Sequence, residues 1–160
     1  MLEGACDAQD FTRVRITVID PGNRLTMKTL IVEDDFTSRV MLQQLIKGYG
    51  ISHVAVNGKE AIEAVSLGFE AGEPYDLVCL DIMLPEMDGH QVLKEIRRLE
   101  AGAGLGSSPL GRRTRVIMTT TASSQANVEE AVANQCDAFL VKPIDGARFI
   151  AQLSKMQLIW

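Results

Sequence analysis

The chain has 160 residues, 46% hydrophobic and 23% charged, with a formal net charge of −5; that is one domain's worth, able to bury a core, and its sparse Pro and Gly exclude a fibrous or disordered protein. The acidic balance excludes general nucleic-acid affinity, which needs a basic surface to displace phosphate counterions, and suits basic or metal partners. No apolar run approaches the roughly 20 residues that span a bilayer, and the opening MLEGACDAQD lacks the basic start and apolar stretch of a signal peptide, so a cytoplasmic protein without membrane partners is expected.

In chain order, residues 1–27 contain RVRITVID and the turn signal DPGN. Two readings stand side by side: an extra strand on a sheet edge, or an N-terminal extension with no core role. From Lys28 to Trp160 one domain follows, in which β-rich runs alternate with amphipathic segments, as in βαβ units. KTLIVE is a continuous apolar run ending in an acid, as a strand buried on both faces looks. FTSRVMLQQLIKGYG follows with Val40, Leu42, Leu45 and Ile46 on one helical stripe, and Gly48 and Gly50 are expected to stop that helix. ISHVAV is the second strand and NGKEAIEAVSLG the second helix, opened by a turn signal and carrying Ala61, Ile62 and Val65 inward. YDLVCLD is the third strand.

MDGHQVLKEIRRLE is a helix with Val92, Leu93, Ile96 and Leu99 at helical spacing, ending in arginines that suit a C-terminal dipole. The Gly/Ser/Pro stretch of residues 101–113 contains Gly102, Gly104 and Gly106, but it follows a helix and opens none, the reverse of a dinucleotide fingerprint, so it reads as a connector. RVIMTT, SSQANVEEAVANQ, CDAFLVK and IDGARFIAQLSKMQLI complete the alternation as strand, helix, strand and helix. Cys6, Cys79 and Cys136 are odd in number and far apart, two of them in strand-like runs, and read as reduced thiols. The expected fold is α/β, a doubly wound, flavodoxin-like parallel sheet of five strands in the order 2-1-3-4-5 with helices on both faces, whose ligands bind beyond the C-terminal strand ends.

Those ends carry the chemistry. Glu33 and Asp34 end the first strand, Asp81 the third, Thr120 the fourth and Lys142 the fifth. The first and third strands are neighbours at the topological switch point, so three carboxylates meet there. Carboxylates that close repel unless a cation compensates, and a hard ion such as Mg²⁺, held by carboxylates, water and phosphate oxygens, suits them. Lys142 adds a point charge for a phosphoryl group and Thr120 a hydroxyl. Singly, each has a plainer reading: an acid after a strand often caps a helix, as expected for Asp35, and a lysine before Pro143 often lies in a surface loop.

LIVEDDFTSR, DLVCLDIMLPEMDG, VIMTTTA and AFLVKPID together resemble the signature segments of the response-regulator receiver domain of two-component signalling, including the stand-alone chemotaxis type. The resemblance implies a domain that accepts a phosphoryl group on Asp81 from a histidine kinase or phosphotransfer protein, with Mg²⁺ bound. It assigns Glu33 and Asp34 to the metal, with Asp34 the direct ligand, and adds Asp81 and the backbone carbonyl of Met83. Of the threonines at 119, 120 and 121 it selects Thr120 as switch hydroxyl, by its spacing from Lys142, and strand alternation sets Thr120 on the face opposite its neighbours. Phe139 matches the aromatic switch position, against which stands its reading as a core aromatic. The face of the fourth helix, fifth strand and fifth helix would then report the state to a downstream target protein, acting by docking since no output module follows.

Met83 and Ala122 flank the path of water to the acyl phosphate, and neither orients a water, so slow self-hydrolysis is expected. A metal-dependent phosphohydrolase with an aspartate nucleophile would want a second aspartate where Met83 stands. A phosphorylation-independent interaction domain of the same fold usually loses an acid or the lysine, and this chain keeps them. Flavin binding would need a phosphate loop where EDDF is anionic. Asp88 is expected to do local work, capping or shaping the turn before the third helix.

Overall fold

The structure, a computed structural model, describes residues 26–104, 113–121 and 124–159. The N-terminal RVRITVID segment, Cys6, most of the Gly/Ser/Pro connector and Ala122 lie outside the described residues. The elements run β1 (Met27–Val32), α1 (Phe36–Ile46), β2 (Gly50–Ala55), α2 (Gly58–Glu70), β3 (Leu77–Asp81), α3 (Gly89–Gly102), β4 (Arg115–Thr120), α4 (Gln125–Ala133), β5 (Ala138–Val141) and α5 (Gly146–Lys155). The five strands form one parallel sheet in the order β2-β1-β3-β4-β5, the expected order.

Alternation along the strands divides the core in two. Leu30, Val32, Val78, Leu80, Val116 and Met118 face α2, α3 and α4, which bring Ala61, Val65, Val92, Leu93, Ile96 and Ala131. Ile31, Leu77, Cys79 and Ile117 face α1 and α5, which bring Leu42, Ile46, Phe149 and Leu153. Each fully buried large aliphatic contributes about 1.5–3 kcal/mol, and both faces need covering because a central parallel strand leaves neither to water. β3 shows this most fully, with all five residues buried. β2, at the edge, is mostly open, with Ile51 and Val54 exposed.

Helix starts follow side-chain capping. Asp35, Asn57, Asp88, Ser124 and Asp145 each accept the backbone N–H three residues on, from Ser38, Glu60, Gln91, Asn127 and Arg148. Asp88 does so in a full capping box, its own N–H donating to Gln91, which is the local work expected of it.

Two local expectations are corrected. Gly50 does not stop α1, which ends at Ile46; it opens β2, and a Cβ there would come within 1.9 Å of the Met27 carbonyl oxygen. Nor do the arginines of α3 serve its C-terminus, for the helix runs on to Gly102 with no basic residue in its last turn. Arg97 instead reaches across the lower edge of the sheet, donating to the carboxylates of Glu100 and Asp137 and to the carbonyls of Thr114 and Gln135. Asp137 also accepts from the Val116 N–H and the Arg115 guanidinium. This network joins α3, β4 and the approach to β5 at the end of the sheet remote from the acids.

Candidate functional site

β1 and β3 are adjacent and parallel, with Val32 in register with Leu80, so the residues that follow each come out side by side. Ligand oxygens of Glu33, Asp34 and Asp81 all lie within 4.8 Å of one another. Glu33 and Asp81 are buried and Asp34 is exposed. From the end of β5, Lys142 Nζ reaches Glu33 Oε2 at 2.5 Å and Asp81 Oδ2 at 3.0 Å. The remaining oxygens are held by backbone: the Met83 N–H donates to Asp81 Oδ1 and the Asp35 N–H to Glu33 Oε1, each at 3.0 Å.

Burial is the largest influence on the Glu33 carboxyl and pushes it above its ordinary value, aided by the charge of Asp81 and opposed by the bonds from Lys142 and Asp35. For Lys142 burial works to lower the ammonium, but bonds and charge from Glu33 and Asp81 together outweigh it and hold it up. The site is thus a buried acid pair neutralised in part by one lysine, with a third, solvent-facing acid beside it. An all-oxygen donor set of this kind fits a hard divalent cation.

Thr120 ends β4 fully buried, and its carbonyl accepts the Lys142 N–H at 2.8 Å. The register partner of Asp81 is Thr119, not Thr120; Thr119 shares the α1/α5 parity of Ile117, while Thr120 shares the α4 parity of Met118. Phe139 lies opposite Met118 in β5 and packs half-buried on that same α4 side. Thr120 and Phe139 therefore occupy one face of the sheet. Met83 exposes 63% of its surface at the mouth of the site.

Three residues at or beside the site have roles that no local pattern in the sequence announces. Gly89 N–H donates to the Ile82 carbonyl, and a Cβ on Gly89 would fall 2.4 Å from the Asp81 carbonyl oxygen. Its need for glycine comes from the loop folding back over the end of β3, which no local pattern announces. Gly89→Ala is expected to displace the Asp81 backbone and destabilise the fold by about 1–3 kcal/mol; urea unfolding measures this, and an unchanged midpoint would refute the close approach. Arg39 Nη1 donates to the Glu33 carbonyl at 3.3 Å and its guanidinium lies over the Phe36 ring, tying the first turns of α1 to the acid corner. His90, just after Gly89 and outside the acid cluster, is buried with no hydrogen bond to either ring nitrogen.

A family model, the response regulator receiver domain, matches residues 29–154. The chain belongs to this family. As a receiver domain it is 32% identical over 131 residues to the chemotaxis protein CheY of Thermotoga maritima, covering 81% of this chain and 96% of that protein. It is 34% identical over 134 residues to the hybrid signal transduction histidine kinase B of Dictyostelium discoideum, covering 82% of this chain but 7% of the kinase. Among solved structures, the CheX–CheY–BeF3–Mg²⁺ complex from Borrelia burgdorferi aligns with TM-score 0.68 and 25% identity, over 82% of this chain and 89% of that one. No helix among the described residues is long and apolar enough to cross a membrane.

Proposed function

We propose that residues 28–160 act as a phosphoacceptor, receiving a phosphoryl group on Asp81 from a histidine kinase or phosphotransfer protein and signalling through a changed surface to a downstream target protein in the cytoplasm. The observation that carries this reading is the setting of Asp81: a carboxylate at the end of a buried strand, gripped by Lys142 and the Met83 N–H beside two more acids. An Asp81 oxygen forms the new P–O bond as the phosphorus–nitrogen bond of the donor breaks, and the departing imidazole keeps the electron pair and takes up a proton. Catalysis of such a transfer rests on positioning and charge. Lys142 holds the nucleophile in place and faces the phosphoryl oxygens; the backbone donors at Met83 and Asp35 fix the carboxylates.

Glu33, Asp34 and Asp81, with the Met83 carbonyl, would hold Mg²⁺, which when bound supplies positive charge against the phosphoryl oxygens. Support comes from the oxygen-only cluster and from the relative whose structure carries BeF3 and Mg²⁺. Thr120 and Phe139, sharing the α4 face, would be the switch: a hydroxyl drawn toward the acyl phosphate leaves room for the ring to turn inward.

The raised Glu33 carboxyl sets a pH dependence. A protonated Glu33 is favoured in the folded chain, so its stabilising effect is full below the ordinary value of 4.5 and is lost as pH rises through the raised one. Mg²⁺ needs the ionised form, so its affinity should fall as pH drops through that raised value, by up to about tenfold per pH unit. Calorimetry in buffers of different ionisation enthalpy should register proton release on binding as pH falls toward the raised Glu33 value; none would overturn the assignment of Glu33.

Slow self-hydrolysis is part of the same reading. With Met83 exposed and apolar at the mouth, no hydrogen-bonding side chain stands at that position to orient water, and radiolabel on purified phosphoprotein should decay over minutes or longer; loss within seconds would sink the idea. The reading as a whole is tested by adding acetyl phosphate and Mg²⁺ and following amide shifts around Asp81. An absent response would defeat it.

A further inference from the structure

His90 is the second residue of α3, 4% exposed, and both ring nitrogens are buried without a hydrogen-bond partner. Such a group has given up its bonds to water with nothing in return, and it takes no part in the acid site. The acceptor that faces it is Glu130 Oε2 on α4, 3.8 Å from His90 Nε2. That is about 0.9 Å beyond a usual N–H···O length. One turn along α3, Lys94 Nζ stands 3.6 Å from the other oxygen of Glu130. Helix α4 is lightly seated: of its nine residues only Ala131 is buried. A helix held by so little apolar contact, with an unmade bond at one side, is free to shift by the small distance that would make the bond.

We propose that His90 is a positioning residue for α4, and that His90 Nε2–H and the Glu130 carboxylate are the two halves of a latch that is open here and closes when Asp81 is phosphorylated. The inference rests on the phosphoacceptor reading above. Its connection to the site is short: α3 starts where Gly89 crosses the end of β3, and α4 starts at Gln125, soon after Thr120. A shift of the Thr120 end of β4 toward a phosphoryl group is thereby felt at the start of α4, and the latch supplies the differential contact that makes one seat preferable.

The chain has two histidines, and His53 already shares a hydrogen bond with the Tyr75 hydroxyl at 2.8 Å, so ring-nitrogen NMR of ¹⁵N-histidine protein is readable, with His53 as internal control. On adding beryllofluoride and Mg²⁺, the His90 Nε2–H signal should move as for a newly made hydrogen bond and become protected from exchange, while His53 stays. Glu130→Ala, at a half-exposed position, should abolish that change and lower the ratio of the two α4 seats, read from α4 amide shifts, about fivefold, equivalent to a net hydrogen bond of about 1 kcal/mol. Lys94→Ala should leave the His90 response in place. A silent His90 alongside shifting amides at Asp81 overturns the latch alone, as does a response that survives Glu130→Ala. No response at Asp81 overturns the phosphoacceptor reading and the latch with it.

Discussion

Asp81→Asn protein, incubated with acetyl phosphate and Mg²⁺, is expected to take up no phosphoryl group above background while unfolding within about 1 kcal/mol of the parent. The two halves of this result have separate causes. The amide keeps the shape of the carboxylate but loses the anionic oxygen that attacks phosphorus, so uptake disappears. Stability holds because gains and losses are matched: an amide cannot accept from both Lys142 and the Met83 N–H, yet the repulsion that Asp81 exerts on Glu33 is gone. Lys142 retains Glu33 as a partner. Mass spectrometry of the intact protein and urea unfolding check the two halves together. Phosphoryl uptake by a folded Asp81→Asn protein would assign the acceptor elsewhere.

Lys142→Met should have the largest effect on stability, a loss of about 3 kcal/mol at pH 7 in the absence of divalent ions. The lysine side chain is 11% exposed, and the carboxylates it touches are 0% and 5% exposed. Removing it leaves two buried acids facing each other with no cation, and breaking a buried pair costs more than the pair contributes when intact. The deficit should narrow at both ends of the pH range. Toward acid, Glu33 takes up a proton more readily than an ordinary glutamate, and a neutral Glu33 needs no partner. Toward alkali, the folded parent holds its Lys142 proton beyond the ordinary value of 10.5, so the stability contributed by the pair is full below 10.5 and is lost as pH rises through the raised value. Urea midpoints across pH should therefore differ most near neutrality. A constant difference would mean that Lys142 stabilises by packing alone.

Both predictions concern residues that the sequence already singled out, and the reason is physical. Strands buried on both faces must be continuous apolar runs, so a charge at the end of LIV or LVCL marks where the strand stops, and Lys142 follows the shorter apolar run FLV of the edge strand β5. Because the strands are all parallel, those ends emerge together at one end of the sheet. Glu33, Asp34, Asp81 and Lys142 were legible on that ground, and their meeting needs only the order of the strands. The caps Asp35 and Asp88 were legible too, because capping is a bond between residues three apart.

What depended on long-range approach was not legible. Gly50 reads locally as a helix stop, whereas the Met27 backbone lies against it, and Gly89 is required by the loop that lies on the Asp81 carbonyl. Arg97 looked like a partner for a helix dipole, a local effect, whereas its bonds run to Thr114, Gln135 and Asp137. His90 fell on an inward helical position and carried no signal of its own, since a missing partner appears only when the neighbouring helix is in place. By itself, then, the sequence determined the order of elements, the two-sided core and the acids at the sheet edge, all of which follow from periodicity and chain direction. Tertiary structure alone decided which backbone tolerates no Cβ, which cations hold the sheet together and which buried imidazole waits for a partner, because each depends on distances between segments that the chain brings together only on folding.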